Sequence, residues 1–127
     1  MAKTNLRDLL CVFHPKDSNY LILSSWSGYL SEFDLTSHKS HIITPNKHYS
    51  IVSDICEISG KIITASGEDV CLWDKEEHLE FREIHEIKKI GLIHSMAPQE
   101  ERAMVLLCGD NCALLRVEET ISIAIFI

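Results

Sequence analysis

Short apolar runs alternate along the whole chain with tight clusters of Gly, Pro, Asn, Asp and Ser, a pattern that predicts strands separated by turns. The sharpest example is Lys61-Ile62-Ile63-Thr64-Ala65-Ser66, then the polar turn Gly67-Glu68-Asp69, then Val70-Cys71-Leu72-Trp73-Asp74. Upstream, Tyr20 to Ser25, the turn Trp26-Ser27-Gly28 and Tyr29 to Asp34 repeat the arrangement, with Phe33-Asp34 standing where Trp73-Asp74 stands. Downstream, Ala103 to Cys108, Gly109-Asp110-Asn111 and Cys112 to Val117 form a third copy that ends in Val117-Glu118. Phe33 and Trp73 are about forty residues apart, a period typical of repeat architectures built from small sheets.

Each unit has room for two more strands. First strands are predicted over Asp8 to Phe13, Ile51 to Ile58 and Ile90 to Met96, each leading into a turn rich in Pro, Gly, Asn or charged residues. Fourth strands are predicted over His38 to Thr44, Leu79 to Ile84 and Ile121 to Ile127. Twelve short strands and no useful helical periodicity make the chain all-β. Its 127 residues suit a single domain, 1–127, in three four-stranded units at approximately 8–44, 48–84 and 87–127. Nothing reads as a linker or a low-complexity segment.

The run ending in Trp73-Asp74 resembles the second half of a WD repeat, and the chain as a whole resembles the WD-repeat β-propeller family. Phe13 to Leu35, with its Leu23-Ser24-Ser25-Trp26 stretch, is similar to the first blade of the mitotic-checkpoint and mRNA-export members. The resemblance implies three four-stranded antiparallel blades of a WD-type propeller, an incomplete ring. It also implies a hydrogen-bonded set in each blade: a His before the first strand, a Ser or Thr in the second, an Asp in the next turn and the Trp in the third. His48, Ser66 and Trp73 match that set in the second unit, whose turn is a residue short, so that Gly67 falls at the Asp place with Asp69 nearby. The first unit keeps Ser25 but has Ser27 and Phe33 where Asp and Trp are expected. The third has His85 available and lacks the Trp and a clear Ser. Trp73 and Phe33 are expected to pack between blades.

Charge narrows the partners. Asp and Glu outnumber Lys and Arg by 19 to 12, a net charge of -7, which disfavours nonspecific nucleic-acid and anionic-membrane binding. No apolar run approaches the ~20 residues of a spanning helix, and the charged start lacks a signal peptide's apolar core. With five scattered cysteines, the expectation is an intracellular protein, cytoplasmic or nuclear, with reduced thiols.

Catalytic and metal chemistry find little support at this level. Cys108 and Cys112 straddle a turn and have no second pair in zinc-ligand spacing, and a buried cysteine behaves as a small hydrophobe. His38, His41 and His48 cluster around one loop, where His48 reads as a blade residue and the other two as surface residues; no metal or cofactor is expected. No nucleophile elbow, phosphate-binding glycine loop or metalloprotease helix appears, so no enzyme is expected. Trp26, placed in a turn, is the leading candidate for a partner contact, followed by Tyr49 and by Glu68 and Asp69.

The expected function is therefore a non-catalytic protein–protein interaction scaffold, its acidic balance suited to a basic peptide or surface. Propellers close with typically four to eight blades, and three leave two apolar faces open. Ile121 to Ile127 is uncharged and β-branched, the profile of an unprotected edge. Three completions are open: a larger propeller of which this is part, favoured here; two copies giving six blades; or another subunit closing the ring or a larger assembly as a structural component. A ligand-binding or enzymatic propeller would instead show a pocket with convergent polar groups.

Overall fold

The computed structural model describes residues 9–26, 28–43 and 51–127. These form β1 (Leu9–Phe13), β2 (Tyr20–Ser25), β3 (Leu30–Asp34), β4 (Ser40–Ile42), β5 (Val52–Ile58), β6 (Lys61–Ser66), β7 (Asp69–Asp74), β8 (Glu80–Glu86), β9 (Ser95–Gln99), β10 (Met104–Cys108), β11 (Cys112–Val117) and β12 (Ile121–Phe126). Each successive group of four makes its own antiparallel sheet in meander order, giving blades 1, 2 and 3. The turn that looks a residue short in the sequence is a tight hairpin. Ser66 pairs with Asp69, leaving two loop residues, and Gly67 supplies the positive φ of 58° that the first loop position of such a hairpin requires.

Blade 2 lies between the other two, and its strands show it. β6 and β7 are buried on both faces, so their apolar run is continuous and not alternating. Opposite residues in the ladder share a face: Ile62 with Trp73 and Thr64 with Cys71, against Ile63 with Leu72 and Ala65 with Val70. The first set packs against Tyr20, Ile22, Leu30 and Ile43 of blade 1. The second packs against Val105, Leu107, Ala113, Leu115 and Val117 of blade 3. Each of these aliphatic side chains contributes about 1.5–3 kcal/mol when fully buried.

Polar hooks repeat between blades at the period of the sequence. The Lys16 backbone N–H donates to Glu57 Oε1 at 2.7 Å and the Ser59 N–H to Glu100 Oε1 at 3.0 Å, each across 41 residues. Lys75 pairs with Glu57 and also donates to the Lys16 carbonyl at 2.6 Å. On the inner strands, Met96 N–H donates to Asp54 Oδ2 at 2.8 Å and Ser53 Oγ to the Ile93 carbonyl at 3.0 Å.

The third unit departs from the expected boundaries. Its first strand is Ser95–Gln99, whereas the apolar pattern placed it at Ile90 to Met96. Ile87, Ile90 and Ile93 are all buried at three-residue spacing, and they anchor a tight helical turn at Lys88–Ile90 beneath the core of blades 2 and 3. Pro98 is tolerated in β9 because that strand is the inner edge of its sheet. In blade 1 the fourth strand shrinks to Ser40–Ile42, and in blade 2 it runs on to Glu86.

The β10–β11 turn presses on this anchored segment. A Cβ added at Gly109 would lie 2.3 Å from the Ile90 carbonyl oxygen and 2.7 Å from that of Leu92. Both obstacles are backbone and cannot swing aside. Gly109→Ala is therefore expected to cost about 1–3 kcal/mol, the usual range for overpacking. Urea denaturation checks this: the midpoint should fall with the slope unchanged.

Candidate functional site

Trp73 is the largest fully buried side chain, and its neighbours define how blade 2 is held. Its indole Nε1–H donates to Thr64 Oγ1 at 2.9 Å, and its ring meets Phe81 edge-on at 5.6 Å. Ser66, the residue expected to serve the indole, does not. Trp73 stands opposite Ile62, so the diagonal position within its reach is Thr64, and Ser66 lies two residues farther along the same face. The Ser66 hydroxyl is buried without a hydrogen-bond partner among the described residues. His48 lies outside the described residues. Ser25 closes its own turn, its Oγ accepting from the Tyr29 N–H at 3.1 Å.

Phe33 was expected between blades, yet it pairs with Leu21, on the face of blade 1 turned away from Tyr20 and Ile22. There it is half-buried and stacks on His38 with centroids 6.2 Å apart. It holds the position of Trp73, but the blade it would face is absent from the described residues.

The β2–β3, β6–β7 and β10–β11 turns gather at one end of the blades. Trp26 is 58% exposed there, beside Tyr29 at 48%. Glu68 and Asp69 are partly buried, their turn held by Ile87 N–H on the Glu68 carbonyl and Ile93 N–H on that of Gly67, both at 2.7 Å. Asp69 stands directly opposite Glu86 in the ladder. Burial first, then repulsion from Glu86 and Glu68, pushes the Asp69 carboxyl above its ordinary range. The exposed Lys88 approaches Glu86 only to 3.6 Å. Tyr49 lies outside the described residues.

At the opposite end, between blades 1 and 2, is a polar cleft of about 520 Å³ lined in part by Glu32, Asp34, Lys39, His41 and His78. Glu32 is 3% exposed. One carboxylate oxygen accepts from the Leu79 backbone N–H. The other lies 3.0 Å from His78 Nδ1 and 3.4 Å from His41 Nε2, and hydrogen bonding to Glu32 raises the His78 pKa. Of the two described loop histidines, His38 and His41, it is His41 that joins this cluster. Glu32 and His78 are 46 residues apart in different blades, so local spacing carried no signal of them.

The thiols are placed against reactivity. Burial pushes Cys56 up to about 12, and burial with the Asp54 charge raises Cys11. Cys108 and Cys112 face each other across the β10–β11 turn with sulfurs 3.5 Å apart, and that hydrogen bond raises Cys112. A nucleophilic cysteine needs the opposite shift, toward thiolate.

No family model matches the sequence, and no curated protein matches it. Solved structures do match. A chain in the crystal structure of the mitotic checkpoint complex superposes with a TM-score of 0.78 at 11% identity, covering 94% of this chain and 40% of that one. The structure of U3-55K gives 0.68 at 16% identity, covering 91% and 36%. The fold is a partial WD-type β-propeller. The propeller spans well under half the length of either chain it matches, and the likeness carries the architecture alone. No helix among the described residues is long and apolar enough to cross a membrane.

Two substitutions separate the roles of the neighbouring hydroxyls. Thr64→Val should cost about 1–3 kcal/mol by stranding the buried indole N–H, whereas Ser66→Ala should be neutral or stabilising because that buried hydroxyl has no hydrogen-bond partner among the described residues. Urea midpoints of the two variants read the difference. The acidic turn makes a further prediction. Because the folded-state pKa of Asp69 is raised, its charged form weakens the fold above that pKa, and the penalty fades as pH falls through it. Asp69→Asn should therefore stabilise the protein at neutral pH by about 0.2–1 kcal/mol, with the gain vanishing in acid. A pH series of denaturation curves tests the sign.

Proposed function

We propose that this chain is a non-catalytic protein-interaction scaffold whose three blades belong to a ring completed by further blades. The observation that carries the reading is the state of the two outer faces. On the covered face of blade 2 the first-strand residue Ile55 is 5% exposed, whereas Val12, which holds that position on the open face of blade 1, is 56% exposed with Ile42 beside it at 50%; on the open face of blade 3 Ile125 is 53% exposed. Val12 shares its face with Leu23, and Ile125 with Leu114, so these are sheet faces of the kind that pack in the interior. Covering such area stabilises by ~25 cal/mol per Å², and a propeller covers it with the next blade. The matched solved chains extend well beyond the part that resembles this one, as a ring with more blades would.

The end carrying Trp26, Glu68 and Asp69 is our choice for partner contact. Asp69 opposite Glu86 is a like-charge pair that opposes folding, and a basic peptide or surface would relieve it. The raised thiols and the absence of local metalloprotease or nucleophile motifs support a binding role over catalysis. Free cysteines at all five positions suit a reducing compartment, and the net charge of -7 disfavours nucleic acid and anionic membrane as ligands.

Light scattering with size-exclusion chromatography tests the open faces. The purified chain should self-associate with rising concentration, and Val12→Lys with Ile125→Lys should return it to a monomer. Unfolding should shift by no more than about 0.5 kcal/mol, since both positions are exposed. A wild-type chain that stays monomeric at high micromolar concentration would sink the reading; a discrete dimer would favour two copies closing six blades.

A further inference from the structure

The Glu32 carboxylate is buried in the junction of blades 1 and 2 without a permanent cation. Among the described residues no lysine or arginine forms an ion pair with it; its ionic neighbours are the two imidazoles. A buried carboxylate is costly unless its charge is offset. The elements that surround it are built to bring donors to one point. His41 is opposite Glu32 in the β3–β4 ladder, and His78 reaches in from the β7–β8 turn of the next blade. The Leu79 N–H occupies one carboxylate oxygen and leaves the other turned toward both rings.

The three donor atoms all lie within 4.8 Å of one another. Around a tetrahedral Zn²⁺ with bonds of roughly 2.0–2.2 Å, donors sit about 3.4 Å apart. The observed separations from Glu32 Oε2 are 3.4 Å for His41 Nε2, which equals that figure, and 3.0 Å for His78 Nδ1, which is a little shorter. The His41 and His78 side chains are 60% and 68% exposed, so their rings are free to close the remaining gap. Two imidazoles and one carboxylate form a donor set that divalent transition ions take, with the fourth position left for water or another ligand.

We propose that Glu32, His41 and His78 bind a divalent transition ion of the Zn²⁺ type, which cross-links blade 1 to blade 2 and leaves one coordination position facing the cleft. The site draws one ligand from a different blade, so the ion acts as a staple between repeats. It adds a third kind of blade contact to the apolar packing and the carboxylate hooks.

Titration of the intact chain with Zn²⁺ by calorimetry, and with Co²⁺ by visible absorption, tests this directly. One equivalent should bind, with the intense visible bands of tetrahedral Co²⁺, and Zn²⁺ should raise the melting temperature. His41→Asn and His78→Asn should each weaken binding at least about 100-fold, the upper end of what losing even an outer-shell partner costs. Both histidines are exposed, so the variants keep the fold, and their metal-free melting temperatures verify it. Cys108→Ser with Cys112→Ser, which removes the one close thiol pair among the described residues, should leave binding intact. Binding that survives in the histidine variants, or disappears with the cysteines, overturns the proposal. So does the absence of saturable binding, which would leave the cluster a simple histidine–glutamate ion pair.

Discussion

Burial of the middle sheet on both of its faces is the constraint on which the other features rest. A two-faced sheet has no solvent side on which to place polar residues, so Ile62, Ile63, Ala65, Cys71 and Leu72 follow one another without the alternation seen in the outer blades. It also forces the few polar atoms inside to find partners locally. Trp73 meets that demand through Thr64, one diagonal step across the hairpin. The blades on either side are then ordered by what they press against: blade 1 through Tyr20, Ile22 and Leu30, blade 3 through Val105, Leu107 and Leu115.

Polar contacts between blades work on a different principle. Glu57 and Glu100 each take a backbone N–H from the turn of the preceding blade, at the same 41-residue interval. Such hooks fix the angle between sheets, which apolar packing alone leaves loosely specified. Glu32 is a variation on the theme, taking the Leu79 N–H but facing two histidines with its second oxygen. One carboxylate therefore serves both to set the junction and to gather the donors beside it.

The open faces connect this packing to function. Phe33 occupies the place of Trp73, and the surface it helps form has the composition of an interior. A blade that needs a neighbour is, by the same physics, a blade that recognises one. In the proposed scaffold role the acidic turn at Glu68 and Asp69 follows related logic, since a basic partner would relieve a like-charge pair that opposes folding.

Much of this was legible in the residues. Turn clusters, short β-rich runs and the forty-residue interval from Phe33 to Trp73 determine twelve strands in three units, because strand formation and tight turns depend on neighbours in the chain. The polar run Gly67-Glu68-Asp69 likewise marked a tight turn, and the structure adds that Gly67 takes the positive φ of its hairpin. What tertiary structure alone decided are the relations across blades. The repeat pattern pointed to Ser66 as the hydroxyl near Trp73, and it is the ladder register that brings Thr64 to the indole N–H. Ile90 to Met96 reads as a strand until Ile87, Ile90 and Ile93 are seen anchoring a turn into a core built from two sheets. Glu32, His41 and His78 converge because blade 2 docks on blade 1, and no spacing within either repeat records that docking.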